Sequence, residues 1–153
     1  MKSAYRILAY LVAVEVLIQA GSVAYAYFGL GTWIQNGGVL DKAAMESDTV
    51  EFAGVGGFMI HGINGQMIVP LIAVLLLVVS FFAKVRGGVQ LAGALLAMVA
   101  VQVALGIFGR ELPALGWLHG MLAIVLFATA LIAARRAEGR AAHTADRSAA
   151  GVV

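Results

Sequence analysis

Long apolar runs separated by short polar stretches dominate this chain. A helix crosses the hydrocarbon of a bilayer with about 20 apolar residues, each rising about 1.5 Å. Four runs reach that length, at about residues 5–28, 57–83, 89–108 and 115–134. Pro70 lies inside the second run and is expected to bend it, because it removes a backbone donor there. The N-terminal "MKSAYR" followed by apolar residues resembles a signal peptide, with Ala24-Tyr25-Ala26 as a cleavage-like triplet. The apolar stretch is longer than a signal core and carries Glu15 and Gln19, so it is expected to stay as the first membrane helix.

Charge sets the expected orientation. Lys2, Arg6, Lys84, Arg86, Arg135, Arg136, Arg140 and Arg147 flank one set of helix ends, and only Lys42 and Arg110 the other. That eight-to-two split of the ten basic residues puts both termini in the cytoplasm under the positive-inside rule. The expected fold is therefore an all-α membrane protein, an antiparallel up-down-up-down bundle of four transmembrane helices. Tight turns over residues 84–88 and 109–114 join the last three helices. Gly93, Ala94, Ala97, Ala100 and Ala104 are expected to allow close approach of the third helix.

Residues 29–56 form the outer loop, Gly-rich and bearing Asp41, Glu46, Asp48 and Glu51. It is longer than a simple connection needs, which suits a cap over the outer face or the lining of a site. Trp33 and Trp117 are expected at the outer interface, where indoles are favoured. One transmembrane domain covers residues 1–136, and residues 137–153 read as a flexible cytoplasmic tail, attracted to anionic lipid. His143, in that tail, is given no role.

Composition supports the membrane assignment. Hydrophobic residues make up 62% of the 153, charged residues 12%, and mean hydropathy is +0.97. A soluble domain of this size cannot hide so much apolar surface. Net charge is +2, and the basic residues cluster at segment ends, a pattern of membrane orientation and not of nucleic-acid binding. The chain has no Cys. That excludes disulfides, thiolate ligands, iron–sulfur clusters and thioether-linked haem, and leaves His, carboxylates or Met for metal chemistry.

The candidate chemistry centres on two histidines. His61 lies about one turn into the second helix and His119 about one turn into the fourth. Both helices run inward, so the imidazoles sit at matched depth below the outer surface. Matched histidines on facing helices of a bundle can take both axial positions of one haem iron. Gly65 follows His61 by one turn, while Gly62 and Gly120 adjoin the two histidines, and missing side chains there leave room for a macrocycle. Gln102 and Gly106 repeat the polar-then-glycine spacing of four on the third helix. Arg110, beside Glu111, stands where a haem propionate would emerge and could grip it bidentately. Glu15 and Gln19 share one face of the first helix near mid-membrane. A charge there costs ~2.5–3.5 kcal/mol or more, so Glu15 is expected to be protonated, paired or beside a wet cavity, at a different depth from the histidines.

Plainer roles stand beside these. The histidines and Gln102 can be interhelical hydrogen-bonding groups, and Gly93 and Gly106 packing gaps. Asn64 and Gln66 can be solvated at the helix mouth, and Arg110 with Glu111 an exposed loop pair.

The stretch "VQVALGIFGRELPALGWLHGMLAIVLFATAL" resembles the haem A synthase family, whose members carry a Gln and Gly near one helix end, a short outer loop, and a His opening the next helix. "FMIHGINGQM" is similar to the preceding His-bearing helix, and "VEVLIQAGSVAY" to the first, so the likeness spans about Ala9 to Ala134. Family members typically have eight helices in two such halves, each with a histidine pair. One pair holds haem b and the other the substrate haem. This chain is similar to one half, which implies haem ligation by His61 and His119. The family's carboxylate three residues before the first His, and its Arg directly after, correspond to Phe58 and Gly62, and the loop cysteine pair is missing. Haem binding therefore transfers better than oxidation of a haem methyl.

The resulting expectation is an integral membrane protein holding one haem b per chain, in electron transfer or haem handling. If it is an enzyme, it is a haem-dependent membrane oxidoreductase of haem A synthase type. Expected partners are the lipid bilayer, a second copy or a larger membrane complex, and a redox protein or quinone, in a bacterial or archaeal cytoplasmic membrane. The competing expectation is a cofactor-free four-helix subunit that supports a partner complex. A third is a quinone-linked or proton-conducting module using Glu15.

Overall fold

The structure is a computed structural model, and it describes residues 1–47 and 49–138. Asp48 and the tail residues Arg140, His143 and Arg147 lie outside the described residues. Among the described residues the chain is all helix, turn and coil, without strands. The elements are α1 (Lys2–Gln35), α2 (Lys42–Glu46), α3 (Gly56–Ile63), a π-helical segment (Asn64–Ile68), α4 (Val69–Ala83), α5 (Gly88–Phe108) and α6 (Pro113–Glu138).

Among the described residues four spans are long and apolar enough to cross a membrane: Lys2–Gln35, Gly56–Ala83, Gly88–Phe108 and Pro113–Glu138. At most 28% of the most apolar window in each is buried within the chain. Leu71, Phe81, Ile124 and Val125 are among many large apolar side chains left exposed. In water each such side chain would forgo about 1.5–3 kcal/mol of burial, whereas lipid tails cover it at no such cost.

The spans match the sequence pattern, and their ends do not. α1 runs on through Gly29 and Gly31 to Gln35, so the connection to α3 is shorter than residues 29–56. Part of that connection is itself helical, with Asp41 capping α2 by accepting from the Ala44 N–H at 2.8 Å. Lys42 and Glu46 pair across one turn at 3.7 Å, and both are exposed. α6 likewise extends to Glu138, two residues into what reads as tail.

Pro70 sits in the first turn of α4, directly after the π-helical segment. Proline has no N–H to return to the carbonyl four residues back, and its ring crowds that carbonyl. The wider π turn takes up this defect, so the irregularity lies over Asn64–Ile68, ahead of the proline.

The chain divides into two compact units, Met1–Val16 with Met67 onward, and Leu17–Gln66. The first unit has a core drawn from four helices. Tyr5, Ala9 and Val12 come from α1, Ala73, Leu76 and Ala83 from α4, Ala92, Leu95 and Val99 from α5, and Leu126, Ala130, Ala133 and Ala134 from α6. Alanine supplies much of it, which lets helix backbones approach closely without a thick layer of side chains. The small residues used on α5 are not the expected ones. Ala92 is buried, whereas Ala94, Ala97 and Ala100 are exposed and a Cβ on Gly93 would meet nothing within 4 Å. The spacing of Ala92, Leu95 and Val99 selects the inward face, and the expected stripe lies off it. At one end of this unit the buried Tyr5 hydroxyl donates to the Gly88 carbonyl at 3.2 Å, and Tyr10 donates to Glu138 at 2.9 Å.

In the second unit the connecting segment and α3 lie hard against the later turns of α1. A Cβ on Gly29 would stand 1.6 Å from the Ala53 carbonyl oxygen, and one on Gly57 would stand 2.3 Å from that of Ser22. Backbone meets backbone at both crossings, so only glycine fits. Phe52 packs against Trp33 and Phe58, and Phe58 against Tyr27, which closes the same face with aromatic rings.

Candidate functional site

His61 belongs to the second unit, where its nearest partner is Gln19 of α1. The His61 Nδ1 lies 3.1 Å from the Gln19 backbone carbonyl oxygen. In the orientation that matches donors to acceptors, the Gln19 amide nitrogen donates to the His61 carbonyl at 2.9 Å. Its oxygen accepts from the Gly65 N–H at 3.2 Å and from the Asn64 amide at 3.1 Å. An unbroken α-helix would bond the His61 carbonyl to the Gly65 N–H. Gln19 inserts between them and serves both, which gives the π-helical segment a second cause beside Pro70. The same amide nitrogen is 2.9 Å from His61 Nδ1, so that ring nitrogen meets both a carbonyl acceptor and an amide donor.

His119 belongs to the first unit and repeats the arrangement with Gln102 of α5. Its Nδ1 lies 3.0 Å from the Gln102 backbone carbonyl oxygen, and the Gln102 amide nitrogen donates to the His119 carbonyl at 2.9 Å. A carbonyl oxygen only accepts, so Nδ1 carries the proton in this bond and the lone pair of the ring is on Nε2. The Gln102 Oε1 is buried with no hydrogen-bond partner. Both histidines are part-buried.

The glycines expected to clear space for a macrocycle divide into two kinds. A Cβ on Gly65 would come within 3.0 Å of the Gln19 amide, and one on Gly106 within 3.2 Å of the His119 ring. Their space is taken by the two bridges. A Cβ on Gly120 would meet nothing within 4 Å, and one on Gly62 only the Gln66 amide at 3.9 Å. Open space is therefore found at Gly62 and Gly120, the chain neighbours of the two histidines. Arg110 and Glu111 are adjacent and exposed in the turn between α5 and α6. Glu15 is part-buried in the first unit. Trp117 is 68% exposed on α6, whereas Trp33 joins Tyr25, Phe28 and Phe52 around an apolar groove on the second unit.

Gln19 is the residue that the sequence alone does not pair with His61. The crossings at Gly29 and Gly57 start α3 below the end of α1, and this brings Gln19 level with His61. Asn64, open in sequence to plain solvation at the helix mouth, is instead part of the bridge. The available signal is a repeat, a glutamine on one helix answering a histidine on the next, once in each half of the chain. Among the described residues no group of three or more His, Asp or Glu gathers as a metal site. Comparison with protein-family models, curated proteins and solved structures finds no significant match.

Proposed function

We propose that the chain binds haem b, which Nε2 of His61 and Nε2 of His119 would hold. The observation that carries this is the repeated bridge. Each histidine turns Nδ1 onto a glutamine backbone carbonyl, at 3.1 Å in one unit and 3.0 Å in the other. Metal-ligating histidines make this second bond, which orients the ring and leaves Nε2 as the basic nitrogen. Two neutral histidines are a sufficient protein donor set for haem, because the porphyrin supplies the remaining four nitrogens. The open positions at Gly62 and Gly120, where an added Cβ would meet nothing closer than 3.9 Å, are compatible with this reading. When bound, haem supplies one-electron chemistry at its iron, and the chain's own residues bind and orient it.

The proposed setting is an up-down-up-down bundle with both termini in the cytoplasm and the histidines toward the outer face. The eight-to-two distribution of basic residues supports it. So do the contacts in the first unit that join the start of α1 to the start of α5 and the end of α6. The proposed role is electron transfer or haem handling in a bacterial or archaeal cytoplasmic membrane, resembling one half of a haem A synthase. A second copy or a larger complex, and a redox protein or quinone, are the proposed partners. Any catalysis would be a haem-dependent oxidation of that type, and Arg110 is the proposed partner of a propionate.

The test is the absorption spectrum of protein purified from haem-replete cells. A Soret band with a sharp reduced α band, lost in both His61→Ala and His119→Ala, is expected. A colourless wild-type preparation would sink the proposal and favour the cofactor-free subunit, in which both bridges serve only to tie helices together.

A further inference from the structure

Basic side chains crowd one end of the first unit, and the contacts there sort them into two groups. Tyr5 donates to the Gly88 carbonyl at 3.2 Å and so ties the start of α1 to the turn between α4 and α5. That turn carries Lys84 and Arg86 and is left-handed at Lys84, with φ 53°, and at Gly87, with φ 69°. Arg136, in the last turn of α6, lays its guanidinium against it, since a Cβ on Gly87 would stand 3.0 Å from Nη1. The second group surrounds Tyr10, whose hydroxyl lies within electrostatic reach of Arg6 and Arg135 and donates to Glu138 at 2.9 Å. Lys2 joins it, one turn before Arg6 on the same face of α1. Six cations thus stand with one described carboxylate, Glu138. Among the described residues none of the six is in an ion pair, and the pair that does form, Lys42–Glu46, belongs to the second unit.

We infer that this end of the first unit binds an anionic phospholipid with two phosphates, one on the Lys84, Arg86 and Arg136 group and one on the Lys2, Arg6 and Arg135 group. Like charges gathered by neutral hydrogen bonds repel, and an anion between them relieves the repulsion. Arginine grips a phosphate through two parallel N–H bonds, and basic pockets between membrane helices take phosphate headgroups. Two groups on one unit suit two phosphates on one molecule, because the second contact then forms at high effective concentration. The occupant is a lipid and not a free anion, because the cations continue into bare apolar surface. Ile132, one turn before Arg136 on the same face of α6, is exposed, as are Phe81 and Phe82 just before Lys84 and Ile7 beside Arg6. A phosphate carrying acyl chains meets both kinds of surface, whereas inorganic phosphate meets only the charge. The site uses neither histidine, so it stands whether or not the chain holds haem.

The test is native mass spectrometry of the full chain in detergent micelles, titrated with tetraoleoyl cardiolipin or with dioleoyl phosphatidylglycerol at equal phosphate. Cardiolipin is expected to bind roughly tenfold or more tightly, as two linked contacts require. Arg135→Gln and Arg136→Gln, one in each group, are each expected to weaken cardiolipin binding about fivefold, the share of one cation beside an anionic headgroup. Lys42→Gln removes the same charge from the exposed pair in the second unit and is expected to leave the affinity unchanged. Equal affinity for the two lipids overturns the two-phosphate site, and that comparison needs only the wild-type protein, even should a variant not fold. Unchanged affinity in Arg135→Gln or Arg136→Gln overturns it as well, as does an equal loss in Lys42→Gln, which would mean diffuse attraction to net charge. Inorganic phosphate at the same phosphate concentration is expected to leave cardiolipin bound, and displacement would overturn the lipid as occupant.

Discussion

The Gln19–His61 and Gln102–His119 bridges share a bonding pattern and differ in how completely it is satisfied. In each, Nδ1 faces a glutamine carbonyl and the glutamine amide donates to the histidine carbonyl at 2.9 Å. The Gln19 oxygen also accepts from the Gly65 N–H and the Asn64 amide, because the π-helical segment opens the helix to receive it. Around Gln102 both helices are regular, and Oε1 is buried without a partner. One bridge is thus built into an interrupted helix and the other laid between two intact ones. The same residue pair can therefore be a structural necessity in one place and nearly dispensable in the other.

Gly29→Ala is the strongest way to break the comparison. The added Cβ would lie 1.6 Å from a backbone oxygen, which no side-chain rotation relieves. Overpacking of this kind costs ~1–3 kcal/mol or more, and here the connecting segment must shift. Because that crossing sets the level of α3, His61 is expected to lose its Gln19 contacts while the His119 bridge persists. Thermal unfolding in detergent, with histidine NMR on the folded fraction, checks both halves. Gly31→Ala on the same helix, where a Cβ meets nothing within 4 Å, is the control and should not destabilise.

Exchanging each glutamine for methionine comes next. Gln19→Met removes one donor to the His61 carbonyl, which the Asn64 N–H also serves, and one acceptor for the Asn64 amide, and it takes from the part-buried Gly65 N–H its acceptor. Each unmet group costs ~1–3 kcal/mol in an apolar setting, and a loss of about 2 kcal/mol is expected. Gln102→Met loses one hydrogen bond, worth about 1 kcal/mol, but also removes an acceptor that is already unsatisfied. Its net effect is expected within about 1 kcal/mol of zero. Equal losses for the two variants, measured by the same unfolding assay, would show that the bridges are equivalent after all.

The part of this legible in the sequence follows the length of the connections. α5 and α6 are joined by the short turn at Gly109–Leu112, so Gln102, Gly106 and His119 fall into register without further information. Their grouping is visible as a spacing, although which atoms meet is not. Between α1 and α3 the chain passes through α2 and two backbone crossings, and nothing local states where α3 begins relative to α1. Gly29 and Gly31 read as helix breakers in water, but a membrane helix tolerates glycine, and α1 continues through both. The four apolar spans were readable because length and hydropathy alone define them. Gln19 was not readable as a partner of His61 because that contact depends on a level set by glycines some distance away.

Gly106→Ala is expected to have a smaller effect than either glutamine exchange. The new Cβ would lie 3.2 Å from His119 Cε1 and 3.4 Å from Nδ1, so the ring must give by a few tenths of an ångström. A cost of about 1 kcal/mol is expected, offset in part by the better helix propensity of alanine. A shift of the His119 ring resonances with those of His61 unmoved would localise the change to one bridge. Motion of both sets would mean that the two respond together.

Gly62→Ala and Gly120→Ala carry the smallest effect on the protein itself and separate clearance from packing. Neither Cβ meets a close neighbour, so the protein without cofactor should be stabilised by about 0.5–1 kcal/mol through reduced backbone freedom in a helix. If the space beside the histidines is kept open for a planar ligand, the same methyl intrudes on it. Haem content per chain should then fall in both variants while unfolding temperature of the apo-protein rises. This opposite movement cannot come from a damaged fold, because damage would lower both. Unchanged haem content would leave His61 and His119 as candidate ligands but remove the clearance role of their glycine neighbours.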